Sequence, residues 1–67
     1  MEKVYTFTNG ATRWYFKYEK RDDGYYALCS MDNKKSWCAV NSDAVENLDD
    51  LKKGITDYNR QFGFVPA

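Results

Sequence analysis

The side chains that could carry chemistry in this chain form three groups: two cysteines, a short acidic stretch and a run in which basic and aromatic residues alternate. Histidine, the most common general base and zinc ligand, does not occur in the sequence. Serine–histidine and cysteine–histidine catalysis are therefore excluded. A glycine-rich phosphate loop and the spacing of a calcium loop are also missing. The sequence predicts a non-catalytic protein with no metal and no cofactor.

Cys29 and Cys38 are the two cysteines of the chain. A closed zinc site needs four ligands, so two thiols alone do not predict one. If the turn between them has Asn33 and Lys34 at its tip, Cys29 lies directly opposite Cys38 and a redox pair becomes available. Small apolar filling is the simpler interpretation of such a pair. We expect a reducing, cytoplasmic compartment that keeps both residues as thiols.

Four carboxylates lie within one short segment, at Asp43, Glu46, Asp49 and Asp50. Such a density could hold a cation, face a basic protein surface or imitate a phosphate backbone. The simpler interpretation is the acidic start of a helix, which the helix dipole favours. We call residues 43–50 the acidic segment and treat these four side chains as candidate contacts to a protein partner.

Arg13, Tyr15 and Lys17 alternate along a predicted strand, so they share one face of it. A cationic sheet face with an exposed aromatic ring is one way in which proteins bind single-stranded nucleic acid. The clustered aromatic motifs of RRM and cold-shock domains are not found here. An ordinary solvated strand has the same pattern, and a tyrosine near an arginine can also anchor a protein partner.

The strand that carries these residues belongs to a predicted hairpin. Asn9-Gly10 is a strong turn signal between strands at about 4–8 and 12–20. A two-residue loop would place Tyr5 opposite Trp14. Alternation then predicts one apolar face, whose members are Tyr5, Phe7, Trp14, Phe16 and Tyr18.

Two further strands are predicted at about 25–31 and 36–40, each after a turn. The face of the third strand depends on the loop at Asp22-Asp23-Gly24. A two- or four-residue loop turns Ala27, Cys29 and Met31 to the core, whereas a three-residue loop with a glycine bulge turns Tyr26 and Leu28 there. We favour the bulged form.

A helix is predicted at about 48–62, where apolar residues recur every three or four positions. They are Leu48, Leu51, Ile55, Tyr58 and Phe62. Asn47 is a good N-cap and Gly63 a good stop, although Asp43 could start the helix one turn earlier. Gly54 inside the helix predicts a close approach to the sheet or a kink.

Together these elements predict an α+β fold, an antiparallel three- to four-stranded β-meander with one C-terminal amphipathic helix on one face (ββββα). At 67 residues, the chain is expected to be a single domain over 1–67 with a thin core made mainly of its twelve aromatic residues. The ten basic and ten acidic residues cancel, which removes the bulk electrostatic argument for nucleic acid or an anionic membrane.

The function expected from the sequence is that of a small non-catalytic interaction protein, of the inhibitor or adaptor type that phages and mobile elements encode. It would bind a protein partner through a sheet face, a sheet edge or the acidic segment. A single-stranded nucleic-acid module using Arg13, Tyr15 and Lys17 is the alternative. No membrane contact is expected, and a homodimer formed through a sheet edge is also available.

Overall fold

Residues 3–67 are described by a computed structural model of the chain. The strands are β1 (Tyr5–Thr8), β2 (Arg13–Arg21), β3 (Gly24–Ser30), β4 (Cys38–Ala39) and β5 (Val65–Pro66), and the helix α1 (Leu48–Gln61) precedes β5. The sheet order is β4-β3-β2-β1-β5, and every neighbouring pair is antiparallel. The predicted α+β class is confirmed, with one strand more than the sequence indicated.

The first hairpin has a longer loop than predicted. Tyr5 pairs with Phe16 and Thr8 with Arg13, because the Asn9 side chain accepts hydrogen bonds from the backbone N–H groups of Ala11 (3.0 Å) and Thr12 (2.8 Å) and so widens the turn. The predicted pairing of Tyr5 with Trp14 is therefore wrong by two positions. An even shift leaves every side chain on its predicted face. Phe7 and Phe16 are buried and meet edge to face at 5.3 Å.

The third strand has the opposite orientation to the one we favoured. Arg21 pairs with Gly24, so the loop holds two residues; Ala27 belongs to the core cluster, whereas Tyr26 is buried outside it. Gly24 makes this tight turn possible with a φ of +138°, a region that side chains rarely adopt. The bulged form was wrong, and the two-residue alternative is the one observed.

The helix begins and ends almost where predicted. The Asn47 side chain caps it by accepting from the backbone N–H groups of Asp49 (2.8 Å) and Asp50 (3.2 Å), so a start at Asp43 is excluded. At the other end, Gly63 takes a φ of +81°. A Cβ at Gly54 would have no heavy atom of its surroundings within 4 Å, which rules out the predicted close approach at that residue.

The prediction of which helix residues are buried is only partly correct. Leu51 and Ile55 are buried against the sheet, but the next buried position is Asn59, and Tyr58 and Phe62 are exposed. The buried positions of the helix follow one another in steps of four residues, so Asn59 is the next buried position after Ile55. Because a turn holds 3.6 residues, these steps move slowly around the helix and leave Tyr58 and Phe62 outside the buried side. Phe64, beyond Gly63, returns to the core and contacts Trp14 edge to face at 5.4 Å.

The two edges of the sheet are built differently. Residues Val65–Pro66 pair with β1, and the Ala67 N–H donates to the Thr6 carbonyl at 2.9 Å, so this edge of β1 is covered. β4 is two residues long, shorter than the predicted 36–40, and forms the opposite edge. Within residues 3–67, no helix has both the length and the apolar character needed to cross a membrane.

Candidate functional site

The three basic and aromatic candidates lie together on the sheet face that α1 does not cover, which we call the outer face. Arg13 is exposed, whereas Tyr15 and Lys17 are half-buried. The Lys17 ammonium nitrogen lies 4.5 Å from the ring centre of Trp37. The Lys34 ammonium nitrogen lies 4.9 Å from the ring centre of Tyr15. Trp37 and Lys34 therefore join this face, and the sequence analysis missed both.

The loop of residues 31–37 brings Lys34 and Trp37 to the outer face. Its centre is Asp32, whose carboxylate accepts from the Ser30 hydroxyl (2.8 Å) and from the backbone N–H groups of Lys35 (3.1 Å) and Ser36 (2.9 Å). The Ser36 hydroxyl is the largest cause that lowers the pKa of Asp32 to about 2. An aspartate that bonds nearby backbone N–H groups is typical of turns.

The acidic segment leads into α1. Its four candidate carboxylates are exposed, and Asp49 and Asp50 occupy the first turn of α1. The charge of Asp43 helps to raise the pKa of Tyr26, although the larger cause is the 2.6 Å hydrogen bond that the Tyr26 hydroxyl donates to Asp23. No group of three or more cysteine, aspartate or glutamate side chains suited to a metal ion occurs in the described part of the chain.

A groove lined by aromatic side chains lies at the C-terminal end of α1, and we call it the aromatic groove. Its volume is about 260 Å³, and its walls are Trp14, Tyr58, Asn59, Phe62 and Phe64. Tyr58 and Phe62 meet edge to face at 5.2 Å and are 54% and 62% exposed. The sequence analysis assigned both residues to the core, so this surface was missed.

The floor of the aromatic groove is held by Asn59, which is 3% exposed. Its side-chain N–H donates to the Ile55 carbonyl at 2.8 Å, while its own carbonyl accepts from the backbone N–H groups of Phe62 and Phe64, each at 3.0 Å. These bonds fix the turn that separates an exposed Phe62 from a buried Phe64. The groove is therefore built by ordered backbone rather than by a loose chain end.

A second groove, of about 410 Å³, lies between β1 and α1. The ammonium nitrogens of Lys3 and Lys52 lie 5.0 and 5.2 Å from the ring centre of Tyr5. A hydrogen bond with Lys52 is the largest cause that lowers the pKa of Tyr5, whereas burial raises the pKa of Tyr18 to about 12. Here the lysine chains mainly cover the aromatic rings of the sheet edge.

Comparison with known proteins adds no family to this description. No protein-family model, no curated protein and no solved structure matches the chain significantly. The functional argument therefore depends on the geometry of the surfaces described above.

Proposed function

We propose that this protein is a small non-catalytic interaction domain that binds a protein partner through the aromatic groove. The observation that carries the proposal is the exposure of Tyr58 and Phe62 beside the half-buried ring of Trp14. Aromatic side chains are enriched among the residues that dominate protein–protein binding energies. A small domain needs most of its large apolar side chains for its core, so two exposed aromatic rings indicate an interaction surface.

The dimensions of the aromatic groove support an apolar side chain as the occupant. Its volume of about 260 Å³ is far more than one water molecule needs. One large side chain of a partner could lie against Tyr58 and Phe62 and contact Trp14.

The test compares capture of proteins from the cells that naturally express the chain. Tagged wild type is set beside Tyr58→Ser/Phe62→Ser and beside Met31→Ser, which removes an exposed apolar side chain from a different surface. We expect one protein captured in near-stoichiometric amount by wild type and by Met31→Ser. Loss of two central aromatic anchors should weaken its binding about 30-fold or more.

Circular dichroism and thermal unfolding of all three proteins accompany the capture, so that a loss of binding is not confused with a loss of fold. If all three chains capture the same proteins, or if wild type captures none above background, the aromatic groove is not the binding surface. Sedimentation of purified wild type distinguishes a foreign partner from a second copy of this chain.

Single-stranded nucleic acid binding by the outer face is a second candidate, and the position of Trp37 favours it. Two aromatic rings, Tyr15 and Trp37, stand on one sheet face with Arg13, Lys17 and Lys34 around them. Bases could stack on the rings while the cations contact phosphates. In the free protein the ammonium groups of Lys17 and Lys34 lie over these rings, so binding requires them to move aside.

A titration with a short oligothymidylate, followed by tryptophan fluorescence at low and moderate salt, tests this candidate. We expect affinity that falls with salt, a loss of roughly 5- to 150-fold in Trp37→Ala, and a shallower salt dependence in Lys34→Ala. Tyr58→Ala, on the opposite surface, is the matched control and should bind as wild type does. No binding at low salt, or binding unchanged in Trp37→Ala, would refute it.

A further inference from the structure

The two cysteines face each other across the β3–β4 ladder. Cys29 and Cys38 are directly paired, as the sequence predicted for a turn with Asn33 and Lys34 at its tip, and both are free thiols. Directly opposed residues of an antiparallel ladder have Cα atoms about 4.5 or 5.5 Å apart. A disulfide requires about 4.4–6.8 Å, so the backbone is already placed for one.

The surroundings of the two thiols give them different access to solvent. Cys38 is exposed, whereas Cys29 is half-buried. Burial is the main cause that raises the pKa of Cys29, and the neighbouring Cys38 adds to it. A groove of about 430 Å³, lined by Cys29, Met31, Asp32, Ser36 and Cys38, opens onto the pair. A small reagent can therefore reach Cys38 first, with Cys29 behind it.

We propose that Cys29 and Cys38 form a reversible intramolecular disulfide by exchange with a small disulfide of the glutathione class. The Cys38 thiolate attacks one sulfur of glutathione disulfide, and the first glutathione leaves as a thiolate that takes up a proton. Cys29 then loses its proton and attacks the Cys38 sulfur, and the second glutathione leaves. Both cysteines are oxidised, and one glutathione disulfide is reduced to two glutathione thiols.

The disulfide would link the edge strand β4 to β3 and close the loop of residues 31–37. That loop carries Lys34 and Trp37 to the outer face, so oxidation would hold both residues where they now lie. Closing a loop of this length constrains the unfolded chain. The melting temperature should then rise by on the order of 10–20 °C. The aromatic groove lies elsewhere, and its proposed function is independent of this reaction.

Mass spectrometry of the purified protein, equilibrated in buffers with a series of ratios of glutathione disulfide to glutathione, tests the proposal. We expect wild type to lose two hydrogen atoms and both reactive thiols, and to recover them on reduction. In Cys29→Ser the exchange should stop with one glutathione attached to Cys38. In Cys38→Ser, whose substituted residue is exposed, Cys29 should stay reduced.

Three results would overturn the inference. Wild type could keep one glutathione attached, could form covalent dimers, or could leave both thiols reduced at every ratio. The melting temperatures of oxidised and reduced wild type provide an independent measurement, because equal values would contradict the expected constraint of the loop by the disulfide. Cys38→Ser serves as the folding control for all of these comparisons.

Discussion

Gly24 stands where the β2–β3 turn meets the segment that leads to α1, and its replacement by alanine tests how the sheet is built. A Cβ at this position would lie 2.9 Å from the Val45 carbonyl oxygen and 3.0 Å from the Cβ of Ala44. The Val45 backbone has little freedom to move, because it exchanges hydrogen bonds of 2.8 and 3.0 Å with Tyr25. The new methyl group must therefore strain the turn or break this contact.

The expected cost combines two effects. A side chain held at a φ of +138° costs about 1–3 kcal/mol, and loss of one hydrogen bond to Val45 costs about 1 kcal/mol more. Gly24→Ala should therefore lower the free energy of unfolding by about 2–4 kcal/mol. Gly54→Ala is the matched control: its Cβ meets open space inside α1, and the higher helix propensity of alanine should raise stability by about 1 kcal/mol.

Urea denaturation followed by tryptophan fluorescence measures both effects. Because a small domain has few kcal/mol to lose, Gly24→Ala is best made in the Gly54→Ala chain, where the gain in the helix helps to keep the variant folded. We expect the double variant to unfold at a lower urea concentration than Gly54→Ala with an unchanged slope. A double variant as stable as Gly54→Ala would refute the two-residue turn and the orientation of β3.

Three further measurements test the loop, the sheet and the helix. An NMR titration should find the carboxyl of Asp32 half-protonated near pH 2. The stabilisation of the loop by this carboxylate is complete above about pH 4 and is lost as the pH falls through 2. Ser36→Ala should move the titration midpoint towards the ordinary 3.8. Burial raises the pKa of Tyr18 to about 12, so stability should fall as the pH rises from about 10 through 12, and Tyr18→Phe should remove that part of the fall. Leu51→Ala should cost about 2–5 kcal/mol in urea denaturation, whereas the exposed Lys53→Ala should change stability by less than about 0.5 kcal/mol.

Much of the fold could be predicted because its signals are local. The N-cap at Asn47 and the glycine at 63 depend on a few neighbouring residues, and they located the helix to within one residue at its end. The prediction of which side chains of the first hairpin face the core stayed correct despite the wrong loop length, because the strand pairing moved by an even number of positions. The two-residue loop at Asp22-Asp23 was not decided by local signals, since its strain depends on how Gly24 meets Val45.

The candidate surfaces were harder to predict because distant contacts create them. Tyr58 and Phe62 have the spacing of core residues, but Asn59 takes the buried position of the last helical turn and Phe64 returns to the core beyond it. Likewise, Trp37 reaches the outer face because the loop around Asp32 folds back over β2. The turn residues around Asp32 predict a loop, but no pattern near Trp37 shows which surface that loop would contact.

The measurement that tests the central claim most directly is photo-cross-linking in the cells that naturally express the chain. A benzophenone amino acid is placed at position 62, in the aromatic groove, or at position 53, on the exposed side of the same helix. We predict that irradiation links position 62 to one defined foreign protein, that Tyr58→Ser abolishes this adduct, and that position 53 gives none. The same adducts from both positions, or only a covalent homodimer, would contradict the proposal that the aromatic groove binds a protein partner.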